Sequence, residues 1–111
     1  MPTISDLKNY RGVILEIKYL EASRLDWQAD SQKAPAISRE LDRLRAQRDA
    51  TETAVQAMPD ARLRGIVRAK YMCGDTWENI AAALNLDYRW TLRLGERAMK
   101  MFAAAAQKMA A

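Results

Sequence analysis

Apolar positions follow the α-helical period through most of this chain. Leu7, Tyr10, Val13, Ile14, Ile17, Leu20 and Trp27 recur at helical spacing, which gathers them into one broad stripe on a helix. The spacing predicts a single long helix opening at Thr3 or Ser5, either of which can cap a first turn. Asp30 to Ala36, with Ser31 and Pro35, reads as a connection. Beyond it Ile37, Leu41, Leu44, Arg48, Thr51, Val55 and Met58 step four, three, four, three, four, three. This is a heptad seam, weakened in its middle by Arg48 and Thr51, and the other faces of the helix are densely charged. Residues 1–58 therefore read as a long helical hairpin, an oligomerisation region whose seam either closes on the chain's own core or pairs with a second subunit.

Pro59 marks the join to residues 59–111, because proline disfavours helix in the residue before it. Three shorter helices are expected there. Asp60 serves the first as N-cap or first-turn acid; this helix carries Leu63, Ile66, Val67, Ala69 and Tyr71 and ends near Cys73. Gly74 suits the left-handed position that stops a helix. Thr76 caps the second, Trp77 to Leu84, with Ile80, Ala81 and Leu84 facing inward. Asn85 tolerates left-handed geometry at the next turn, and Asp87 caps the third helix from Tyr88 onward. Gly95 lies inside that helix, at a cost of about 1 kcal/mol relative to Ala. Cys73, Met99 and Met101 read as packing residues, and Tyr71 and Trp77 as core. The one low-complexity stretch is the alanine-rich end, Ala103 to Ala111.

Composition fixes the class as all-α: Gly and Pro number four and three in 111 residues, while Ala, Leu, Arg, Lys, Glu and Met, which favour helix, are abundant. Charge is uneven along the chain. Residues 1–59 carry nine Lys/Arg against nine Asp/Glu, and residues 60–102 carry eight against five. The basic excess lies in the second half, and its placement is more telling than its size. Arg89, Arg93, Arg97 and Lys100 fall within about 80° on the third helix, with Thr91, Leu94, Ala98 and Phe102 opposite. A helix lying in the major groove of DNA needs this division, with apolar support behind and long donors in front. A solvated amphipathic helix shows the same pattern. The short helix, tight turn and second helix ahead of the stripe have helix-turn-helix spacing.

The stretch from Met58 to Phe102 resembles region 4 of bacterial sigma factors. It is closer still to the sigma-region-4-like proteins of phages and prophages, including the RinA and ArpU types of late-gene activator. The resemblance is carried by Pro59-Asp60, then Arg68, Lys70 and Tyr71, then Gly74, Thr76-Trp77-Glu78, Ile80-Ala81 and Leu84. Arg93-Leu94 and Arg97-Ala98-Met99-Lys100 complete it. It implies a three-helix helix-turn-helix bundle, with the third helix in the major groove of promoter DNA. Tyr88, Arg89, Trp90 and Arg93 then match the base-facing start of that helix, and Arg97 and Lys100 lie further along, toward phosphate. Thr76 and Trp77 open the supporting helix, whose N-terminus can donate backbone N–H groups to a phosphate.

No enzyme chemistry is expected. The chain has no histidine and one cysteine, which removes the commonest general base and any disulfide or zinc site built within the chain. Neither a Gly-rich phosphate loop nor a nucleophile elbow is present. No cofactor, metal or small-molecule substrate is implied, and no run resembles a signal peptide or membrane span. The expected protein is cytoplasmic and homodimeric and binds double-stranded DNA, with RNA polymerase as a further partner. Two alternatives share the same parts: a phage DNA-packaging oligomer of the small-terminase kind, and a module that binds polymerase and not DNA.

Overall fold

The computed structural model describes residues 1–109; the last two alanines of the alanine-rich end, Ala110 and Ala111, lie outside the described residues. Every regular element among the described residues is helical: α1 (Ile4–Lys8), α2 (Tyr10–Ala22), α3 (Arg24–Gln28), α4 (Ala34–Gln56), α5 (Ala61–Val67), a π-helical continuation over Arg68–Met72, α6 (Trp77–Leu84) and α7 (Tyr88–Met109). The molecule is elongated, 54 × 33 × 17 Å. Among the described residues no helix is long and apolar enough to cross a membrane.

The long first helix expected from the periodicity is broken into α1, α2 and α3. Thr3, and not Ser5, opens it: the Thr3 hydroxyl accepts the Asp6 N–H at 3.1 Å, and the Asp6 carboxylate accepts the Thr3 N–H at 2.9 Å. Asn9 and Ser23 leave helical geometry, with ψ near zero. At Ser23 the cause is local. Its hydroxyl donates to the Tyr19 carbonyl (2.9 Å), and the Trp27 indole N–H donates to the Leu20 carbonyl (2.8 Å). Side chains that bond to the preceding turn bend a helix in this way. α4 also begins earlier than Ile37, at Ala34, with Pro35 in its first turn. A proline there gives up an N–H that has no helical partner anyway.

The apolar stripe and the heptad seam close on each other within one chain. Val13, Ile17 and Trp27 pack with Leu41 and Leu44, edged by Leu20, Ala34 and Ile37. Polar ties flank this cluster: Gln47 Nε2 donates to Asp6 (3.0 Å), Arg45 pairs with Glu21 (3.6 Å), and the Tyr10 hydroxyl donates to Glu52 (2.5 Å). Burial, and then the Glu52 carboxylate, push the Tyr10 phenol up to about 12. The lower part of the α4 seam serves a second, larger core. Ala54, Val55 and Met58 join Leu7 of α1 and the buried residues of α5, α6 and α7. Thr51 is buried there without an orphaned hydroxyl, because it donates to the Gln47 carbonyl at 3.0 Å.

Side-chain caps set the remaining boundaries. Asp60 accepts the Leu63 N–H (3.0 Å) to open α5. At the far end one extra residue enters the winding, so the Cys73 N–H reaches back to the Arg68 carbonyl (2.8 Å). Gly74, at φ +80°, then turns the chain and lets the Asp75 N–H return to the Ala69 carbonyl (2.9 Å). The Arg11 guanidinium lies against this glycine, where a Cβ would collide with it. Cys73 itself is exposed, and so does not pack as the sequence suggested: it sits at the cap, past the last turn that faces the core.

Candidate nucleic-acid interface

The basic half of the chain is organised around α6 and α7. Thr76 accepts the Asn79 N–H at 3.1 Å and opens α6. Ile80 and Ala81 are buried and Leu84 is half-buried, while Ala82 and Ala83 face outward. Asn85 adopts the left-handed conformation (φ 54°), and the Leu86 N–H closes back on the Ala81 carbonyl (3.0 Å). Asp87 then begins α7. Its carboxylate accepts the Trp90 N–H (2.7 Å), and its backbone carbonyl accepts the Thr91 hydroxyl (2.9 Å). Thr91 is thereby fully buried with its polar group satisfied.

The faces of α7 are sharply divided. Thr91, Leu94, Gly95, Ala98, Phe102, Ala105 and Ala106 are buried. Arg89, Arg93, Arg97 and Lys100 are all exposed on the opposite side. None of the four makes a hydrogen bond or ion pair among the described residues. By contrast, Arg43, Arg45 and Arg48 on α4 are each paired with a carboxylate. The α7 cations keep their donors free.

The eight residues expected at the interface fall into three settings. Tyr88, Arg89, Trp90 and Arg93 border one hollow of about 420 Å³ around Asp87, with Tyr88 46% and Trp90 39% exposed. Arg97 and Lys100 border a different groove of about 580 Å³, whose floor is Leu63, Met101 and Ala105 beside Pro59. Asp60 lies near its Arg97 side. The Leu63 N–H that it accepts holds the Asp60 carboxyl below its usual range, and the Arg62 and Arg97 guanidiniums add to the effect. Thr76 and Trp77 form the third setting, at the start of α6. Thr76 is exposed and Trp77 half-buried. With the Asn79 N–H taken by Thr76, the earlier N–H groups of that turn have no helical partner.

Trp77 also explains Gly95. The indole ring lies on α7 so closely that a Cβ at residue 95 would come within 2.6 Å of it. The Lys70 ammonium sits 5.3 Å from the centroid of the same ring, a cation–π distance. The sequence marked Lys70 by its charge and its place in the resemblance, but not by this contact, because its partner belongs to another helix. Met99, Met101 and Tyr71 pack at the edge of the larger core. Among the described residues no three His, Cys, Asp or Glu side chains gather as a metal site requires.

No family model, curated protein or solved structure matches the chain.

Proposed function

We propose that this chain binds double-stranded DNA through α7, as a transcription regulator of the phage and prophage type. In this reading residues 1–58 are a helical hairpin. Residues 59–111 are a helix-turn-helix bundle like region 4 of sigma factors, with α6 as the supporting helix and α7 as the recognition helix. The observation that carries the proposal is the row of four exposed, unpaired cations on α7, directly behind which the helix is anchored by fully buried Leu94, Ala98 and Phe102. A rigid helix with free guanidinium groups meets the geometric need of major-groove readout.

Arg89 and Arg93 take the base edges, flanked by Tyr88 and Trp90. Arg97 and Lys100, set back over the α5 corner, take phosphate, as do the first-turn N–H groups after Thr76. No enzymatic step is part of this reading.

Titration of duplex DNA against salt tests it. Phosphate contacts by the two cations Arg97 and Lys100 give a log–log slope of about −1.8. Replacing Arg89 and Arg93 together with Ala should lower affinity for a selected site by at least about tenfold while far-UV circular dichroism stays unchanged. Equal affinity of variant and parent would refute the assignment of α7.

A further inference from the structure

We propose that Trp90 determines part of the sequence specificity: it reads the 5-methyl group of a thymine in the major groove, on the base pair next to a guanine held by Arg93. The proposal rests on the reading of α7 as the recognition helix.

The chain has three tryptophans, and the fold accounts for two. Trp27 is buried in the smaller cluster and donates its indole N–H to the Leu20 carbonyl. Trp77 packs on Gly95. Trp90 joins neither cluster and is exposed. Its backbone N–H is the donor that the Asp87 carboxylate accepts. The cap therefore fixes this residue through its main chain and leaves the indole uncommitted. A large apolar ring at the surface, with no packing duty and cations beside it, marks a contact surface.

The position of the ring selects its target. At 100° per residue Trp90 lies about 60° from Arg93, at the edge of the cationic row. Tyr88 lies about 100° from Arg89 on the far side, outside the row. Trp90 and Arg93 are about 4.5 Å apart along the helix axis, against about 3.4 Å between base pairs. With α7 along the groove, the two side chains meet neighbouring base pairs. The hollow they border also includes Asp87, whose carboxylate repels phosphate and so favours base edges there. Arg93 matches the paired acceptors O6 and N7 of guanine. Thymine is the one base that presents a methyl group in the major groove, and an indole face covers that group without burying a polar atom.

Fluorescence anisotropy of the full chain on the duplex best enriched from a random pool tests this. Uracil in place of thymine removes the methyl group alone. At a thymine beside a guanine, the exchange should weaken binding about fourfold, the worth of one buried methyl group. Trp90→Ala should weaken binding to the thymine duplex and make the two duplexes equal, while Trp90→Phe keeps the preference. Helicity should not change, because the Asp87 cap uses the Trp90 main chain. Indifference to every thymine-to-uracil exchange overturns the proposal and leaves α7 as the recognition helix. So does a preference for thymine that survives in Trp90→Ala. A parent chain that binds no duplex, or binds the separated strands more tightly, overturns the reading of α7 and this proposal with it.

Discussion

The molecule has two hydrophobic clusters, and they are held in different ways. Five buried residues join α2 and α3 to the first half of α4, whereas thirteen, five of them on α7 itself, form the core that α7 closes, so cooperative stability should concentrate in the second. The helix ends differ as well. Side chains cap α5, α6 and α7 through Asp60, Thr76 and Asp87, while α2, α3 and α4 begin with no side-chain cap. One region is fixed by local chemistry and a large core together. The other is held by a narrow apolar strip and a few polar ties across helices. Regions of the second kind open first in native-state fluctuations.

Core truncation should separate the two regions most strongly. Phe102→Ala, at a fully buried site, is expected to cost about 4 kcal/mol and to lower protection from amide exchange throughout. Leu44→Ala should cost about 3 kcal/mol, with faster exchange confined to α2, α3 and α4. Urea denaturation and residue-resolved exchange check both. Equal loss of protection in α5 to α7 for the Leu44 variant would mean that the clusters are one cooperative unit.

A smaller effect concerns the Trp77–Gly95 contact. Gly95→Ala alone should destabilise by about 1 kcal/mol, because displacing the ring outweighs the gain in helix propensity. In a Trp77→Ala background the clash is absent, and the same substitution should stabilise by about 1 kcal/mol. Without that reversal of sign, measured by denaturation of all four proteins, the contact does not govern the glycine.

The smallest difference lies in the caps. Thr76→Ala should cost about 1 kcal/mol, whereas Lys33→Ala at the uncapped start of α4 should change stability by less than about 0.5 kcal/mol. Similar costs at the two sites would remove this part of the contrast.

The same contrast governs what could be read from residue order alone. Asp60, Gly74, Thr76, Asn85 and Asp87 stand where the sequence put them, because a cap or a left-handed turn is decided within four or five residues. The divided faces of α7 were legible too, since a long unbroken helix keeps its phase. The breaks at Asn9 and Ser23 were not. Periodicity runs through them, and the break at Ser23 depends on hydrogen bonds from Ser23 and Trp27 to the preceding turn. Pro35 masked the true start of α4 by looking like part of a connection. Within the candidate interface, the residue types were visible, but their grouping was not. Arg97 and Lys100 part from Arg89 and Arg93 because the α4–α5 corner comes up beside α7, and only tertiary packing sets that. The burial of Trp77 on Gly95 and the stacking of Lys70 on it join residues from different helices, beyond the reach of any local pattern.

The wide turn over Arg68–Met72 carries a consequence for how this architecture tolerates change in length. It accommodates one residue more than regular winding needs between the anchored start of α5 and the glycine that reverses the chain. Loss of one residue there lets the segment relax to regular α-winding, with the Leu63 to Val67 contacts and the exit toward α6 kept nearly in phase. A further inserted residue finds no such slack and would turn the exit by about 100°, re-aiming the whole basic surface.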